Sequence, residues 1–174
     1  MSTILGVDPG YAACGLALVR RDGQRWIALR VETVRTPADM PLGDRLCRVY
    51  AAMHALLLRE PDGVVVEGQA RAHAGHRERG TISAEAFSVR EVTGGLRALT
   101  WLAGRPLIEL EPQAWRKAVG LPGNARKGQV KRLVQARVQG LPALLSEHAA
   151  EALGIAMAWR VAPADLLRRT PLRG

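Results

Sequence analysis

Thr3-Ile4-Leu5-Gly6-Val7-Asp8-Pro9-Gly10 is a short apolar run that ends on an acid and breaks at a strong turn signal. Read outward from it, Cys14 to Val19 forms a second apolar run. Arg21-Asp22-Gly23-Gln24 makes a hairpin turn, and Trp26 to Val34 returns as a third strand. Connections this short join antiparallel neighbours, so the first forty residues are expected to form a three-stranded meander.

Beyond residue 40 the period changes. Pro41 suits the first turn of a helix, with Asp39 as a candidate cap. Leu42, Leu46, Val49, Met53, Leu56 and Leu57 then recur at helical spacing up to Glu60. Val64-Val65-Val66 reads as a strand buried on both faces and ends at Glu67. A basic segment without hydrophobic period, Gly68 to Gly80, follows. Helical patterning over Ser83–Ala103, a strand over Leu107–Leu110, and helices over Pro112–Ala118, Gln129–Val138 and from an N-cap at Ser146 to about Val161 complete the order. That order, βββ-α-β-α-β-α-α-α, predicts an α/β fold. Its five-stranded mixed sheet combines the antiparallel meander with parallel strands and carries helices on both faces. Residues 1–162 form the expected domain, and 163–174 a loose tail carrying Arg168, Arg169 and Arg173.

The 174 residues suit one domain, and a 48% hydrophobic fraction is enough to give it a core. No stretch approaches the length of a membrane helix, and the N-terminus lacks the features of a signal peptide. Cys14 and Cys47 have no spacing suited to a disulfide framework or a zinc site, so free thiols in a reducing cytoplasm are expected. Lys and Arg total 25 against 16 acids, a formal charge of +9, with 22 of the cations Arg. Such an excess points to a polyanionic partner, most simply nucleic acid. A GC-rich genome, which favours Arg codons, is the competing cause.

Acids on so basic a chain stand out. Asp8 and Glu67 each close an apolar strand, at the end where mixed sheets place their sites; alone, either could be an ordinary strand-end turn cap. In Ser146-Glu147-His148-Ala149-Ala150-Glu151-Ala152-Leu153-Gly154-Ile155-Ala156, His148 and Glu151 lie three residues apart on one helix face. The helix around them is small and apolar, so it should carry both into the interior. Glu147 fits a surface helix start, favoured by the dipole; a His148 cation there would not be. Brought together, Asp8, Glu67, His148 and Glu151 make an oxygen-rich donor set with one imidazole, suited to Mg²⁺ or Mn²⁺. Two such ions activate water and stabilise the leaving oxygen in phosphodiester hydrolysis.

These motifs resemble the RuvC family of Holliday-junction resolvases. Ile4-Leu5-Gly6-Val7-Asp8-Pro9-Gly10, with Gly15 after it, is similar to the family's opening. Val64-Val65-Val66-Glu67 is similar to its second acidic strand, and His148 to Ala156 to its C-terminal acidic helix, in the same order over residues 3–161. The resemblance implies an RNase H-like fold and a homodimer. It also implies a two-metal endonuclease that nicks opposing strands of a four-way DNA junction symmetrically, leaving 5′-phosphate and 3′-hydroxyl ends. It makes Asp8 the bridge between ions, with Glu67 and Glu151 completing their shells and His148 a ligand or an aid to the water. Lys127 becomes a charge near the scissile phosphate; a solvated lysine at a helix start fits that residue equally.

Arg71, His73, His76, Arg77 and Arg79 fall where the family engages the junction, and Arg126, Lys127 and Lys131 are further candidates for DNA contact. Three departures mark the chain as divergent and phage-like. Glu151 stands for the usual Asp; the segment after Glu67 lacks the family's aromatic and is longer and more basic. Val92-Thr93-Gly94-Gly95 replaces a Gln-Ala-Arg-Gly-like stretch on the dimer helix. On that helix Phe87, Val92, Leu96 and Leu99 offer more apolar surface than one sheet face absorbs, in keeping with a dimer. An RNase H-like nuclease acting on RNA or an RNA–DNA hybrid, and a junction binder with little or no cleavage, are the alternatives. A branch-migration partner is not identifiable from the sequence.

Overall fold

Alternation along the strands fixes which side of the sheet each acid faces. In the computed structural model, which describes residues 1–68 and 84–161, β1 (Ser2–Asp8) pairs antiparallel with β2 (Ala13–Asp22), and β2 with β3 (Arg25–Arg35). The expected meander is therefore present. β4 (Gly63–Glu67) lies parallel to β1, and β5 (Leu107–Leu110) parallel to β4. Successive side chains point to opposite faces. Leu5, Val7, Val64 and Val66 accordingly join one core with Val49 and Met53 of α1 (Leu42–Leu57) and with Val92 and Leu96 of α2 (Ala84–Leu102). Ile4 and Val65 join the other, under α3 (Pro112–Ala118), α4 (Lys127–Arg137) and α5 (Glu147–Met157). Asp8 and Glu67 have the parity of Ile4 and Val65, and so belong to the α5 side.

Among the described residues the sheet is six-stranded rather than five, in the order β5-β4-β1-β2-β3-β6. The extra strand, β6 (Val138–Gln139), pairs parallel with Trp26 and Ile27. The sequence pattern places Val138 at the end of a helix; two residues give no periodic signal, and Gly140 at φ 73° turns the chain away directly after them. The start of α1 also differs from expectation. Pro41 is its N-cap, no side chain caps it, and Asp39 plays no such part. The helix ends at Leu57 rather than Glu60, which takes a positive φ of 52° in the following turn. The last helix stops at Met157, and a 3₁₀ turn covers Ala158–Val161.

Helix α5 runs through the interior, every residue from Ala149 to Met157 buried. Two glycines let it lie directly on the sheet. A Cβ on Gly6 would fall 2.1 Å from the Ala152 carbonyl oxygen, and one on Gly15 would fall 2.1 Å from that of His148. The N-terminus of α5 is anchored as expected: Ser146 Oγ accepts from the Ala149 N–H at 3.1 Å and shares a 2.5 Å hydrogen bond with Thr33 of β3. Of the apolar residues expected to serve a dimer, Val92 and Leu96 are consumed by the chain's own core. Phe87, Trp101 and Leu102 are the large exposed apolar side chains of α2. No helix among the described residues is long and apolar enough to cross a membrane. Cys14 is buried, Cys47 exposed, and both are free.

Candidate active site

The register continues one step past Val7↔Val66 to set Asp8 beside Glu67, at the carboxyl ends of two adjacent parallel strands. Gly15 lies opposite Asp8 on the other side, and its missing side chain admits the first turn of α5. That turn delivers His148 and Glu151 to the strand ends. His148 Nδ1 lies 2.8 Å from Asp8 Oδ2. One ligand atom each from Asp8, His148 and Glu151 fall within 4.8 Å of one another. Glu67 lines the same cavity, of about 460 Å³, together with Lys127, Arg116 and the turn from Pro9 to Ala13. That turn is braced from behind: Thr36 Oγ1 donates to the Tyr11 carbonyl at 2.6 Å, and Arg45, stacked over the Tyr11 ring, donates to Thr36 Oγ1 at 2.8 Å.

The electrostatics are those of acids crowded at the edge of a core. Burial pushes the Glu67 carboxyl up to about 6, with the neighbouring Asp8 and Glu151 charges adding to the rise and the Trp115 N–H opposing it. Burial likewise raises Glu151, helped by Asp8 and opposed by Lys127 and Arg116. The hydrogen bond to Asp8 raises His148, favouring the imidazolium. Burial works against the Lys127 ammonium, but the Glu151, Glu147 and Asp8 charges outweigh it and its pKa rises. Crowded carboxylates that resist ionisation beside a shared imidazole form a donor set that a divalent cation would relieve. Oxygen donors with one nitrogen fit Mg²⁺ or Mn²⁺.

Lys127 opens α4, where Gln129 Oε1 accepts from the Arg126 N–H at 2.8 Å, and its ammonium sits 3.3 Å from Glu147 Oε2. Arg126 lines a separate shallow groove with Arg132, and Lys131 follows Lys127 by one helical turn. The structure thus brings Asp8, Glu67, His148, Glu151 and Lys127 to one cavity and leaves Arg126 and Lys131 beside it. Arg71, His73, His76, Arg77 and Arg79 lie outside the described residues, as does the tail from 163 to 174.

Two residues of the site were missed from the sequence, both on α3. Trp115 is fully buried and its indole N–H donates to Glu67 Oε2 at 2.5 Å. Arg116 stacks on the Trp115 ring, 4.8 Å to its centroid, and reaches Glu151 Oε1 at 3.4 Å. The available signal was a Trp-Arg pair one turn into a helix that follows a parallel strand, which alone reads as a core aromatic beside a surface cation.

The model of the family described as crossover junction endodeoxyribonuclease RuvC matches residues 4–159. A RuvC from Leifsonia xyli subsp. xyli is 39% identical over 163 residues, covering 90% of this chain and 74% of the other. One from Syntrophomonas wolfei is 33% identical, covering 88% and 86%. Among solved structures, Thermus thermophilus RuvC in complex with a Holliday junction substrate superposes with a TM-score of 0.75 at 26% identity, over 91% of this chain and 92% of that one. The yeast mitochondrial Holliday junction resolvase, at 16% identity and a TM-score of 0.60 over 95% and 82%, shares the fold. The RNase H-like α/β architecture expected from the sequence is the one these structures carry.

Proposed function

Since the chain belongs to the RuvC family of crossover junction endodeoxyribonucleases, we propose that it resolves four-way DNA junctions. It would do so by metal-dependent hydrolysis of one phosphodiester on each of two opposing strands, leaving 5′-phosphate and 3′-hydroxyl ends. The observation that carries this reading is the convergence of Asp8, His148 and Glu151 within 4.8 Å on a cavity that Glu67 also lines.

Asp8, Glu67, His148 and Glu151 are the residues that would hold the metal. A pair of Mg²⁺ or Mn²⁺ ions there supplies an activated water and neutralises charge on the leaving oxygen. The chain's own contributions follow from its geometry. Asp8 sits centrally, within reach of both the His148 ring and the Glu67 strand end. The hydrogen bond to Asp8 favours the protonated His148 ring, so cation binding and protonation compete at that ring. Lys127 places a positive charge on the cavity wall, where a phosphate gathering charge in the transition state is stabilised. Arg126, Lys131 and Arg132 extend that charge along α4 for the DNA backbone.

Two cuts related by symmetry need two sites, and a homodimer supplies them. The exposed Phe87, Trp101 and Leu102 of α2 support an apolar interface on that helix. The two free thiols fit a cytoplasmic location. The test is incubation with a mobile synthetic four-way junction in Mg²⁺ and in Mn²⁺, with the nicks mapped. Paired symmetric nicks are expected. Binding without product in either ion would make the protein a junction binder, and equal cutting of an RNA–DNA hybrid would favour the RNase H reading.

A further inference from the structure

Helix α3 contributes no acid to the site, yet it touches two. Pro112 starts the helix straight after β5, whose parallel pairing sets Glu67 opposite Leu110. Trp115, one turn on, is driven inward: it is fully buried and packs against α5, where a Cβ on Gly154 would lie 2.9 Å from the edge of its ring. The ring is therefore held in place by the same helix that carries His148 and Glu151. Its one polar atom points at Glu67 Oε2 and donates there. An indole N–H is a donor and nothing else, so it cannot itself take a cation. A carboxylate has two oxygens, and a donor fixed on one leaves the other in a set direction. Arg116, the next residue, reaches Glu151 Oε1, so one turn of α3 contacts two acids of the cavity.

We propose that Trp115 is a positioning residue for Glu67: the buried indole N–H clamps Oε2 and so sets how the remaining oxygen is offered to a divalent cation. This rests on the reading of Glu67 as a metal-holding acid. Donors of this kind behind a ligand carboxylate typically change metal affinity or activity by about 10–100-fold when removed.

The experiment is a Mn²⁺ titration of the full chain, followed by the loss of the free-ion EPR signal. Trp115→Phe is compared with a variant carrying benzothienylalanine at position 115, in which sulfur replaces the N–H and the ring size is kept, so that a folding defect in the first does not decide the outcome. The Mn²⁺ dissociation constant is expected to rise about 10–100-fold in both. Junction affinity measured in EDTA should stay unchanged, and the cleavage rate should recover at saturating Mn²⁺. Unaltered Mn²⁺ affinity in the benzothienyl variant overturns the positioning role while leaving the function standing. A chain that shows the Mn²⁺ shift but cuts no junction overturns the function and leaves the clamp standing. Absence of Mn²⁺ binding by the unsubstituted chain removes the role of Glu67, and the proposal with it.

Discussion

Asp8 and His148, 140 positions apart in the chain, share a 2.8 Å contact between Oδ2 and Nδ1. The contact exists because Gly15 has no side chain where the His148 backbone crosses β2. If Asp8 is central to cation binding, removing its charge should spare DNA binding, since an acid near phosphate does not hold the DNA. Asp8→Asn is expected to lower junction cleavage by about a hundred- to a thousandfold, the range for losing a key stabilising group. A gel-shift assay in EDTA should show junction affinity equal to or tighter than the parent's. Loss of binding together with cleavage would remove Asp8 from this role.

Gly15→Ala tests the approach of helix to sheet. The added Cβ would meet the backbone oxygen and carbon of His148 at 2.1 and 2.5 Å, and neither is the end of a flexible side chain. A loss of about 3 kcal/mol in urea unfolding is expected, together with weaker Mn²⁺ binding as α5 is pushed off Asp8. Gly43→Ala, where a Cβ meets nothing within 4 Å in α1, is the control and should be neutral or slightly stabilising.

Glu67 makes stability pH-dependent in the metal-free protein. Its carboxyl titrates near 6 when folded against an ordinary value of 4.5, so the folded state binds the extra proton and stability falls as pH rises between those values. Below 4.5 the penalty is absent; above 6 it is complete, at up to about 2 kcal/mol. Glu67→Gln should therefore be more stable than the parent at pH 8 without metal. The difference should close by pH 4, read by thermal melts across the range. A constant difference at all pH values would contradict the burial argument.

Lys127→Ala separates grip from chemistry. Junction affinity should fall as salt rises, and the variant's slope in log K against log salt should be shallower by about one if Lys127 meets a phosphate. Cleavage at saturating protein should fall by about a hundredfold. A slope equal to the parent's would assign the lysine to its 3.3 Å pairing with Glu147 and to nothing on the DNA.

Much of this site is legible in the sequence because its acids interrupt strong patterns. Asp8 and Glu67 end apolar strands, and His148 and Glu151 are polar groups in a helix that is otherwise small and apolar from Ala149 to Met157. What remained hidden depends on register. Trp115 reads as one more core aromatic until the parallel pairing of β4 with β5 brings its N–H to Glu67. Arg116 reads as a surface cation until the same helix turns it toward Glu151. Strand β6 is too short to have a period at all, and only its pairing with Trp26 and Ile27 reveals it.

Because α5 is buried from Ala149 to Met157, with Gly15 of β2 against the His148 backbone and Trp115 against Gly154, that stretch cannot unwind without breaching both the sheet contact and the Trp115 packing. The amide protons of the last two turns of α5 should therefore exchange with solvent only through global unfolding. Binding and catalytic residues are commonly carried on surface loops. Here the proposed donors His148 and Glu151 share the fate of the buried helix that carries them, so the donor set comes apart when the fold does.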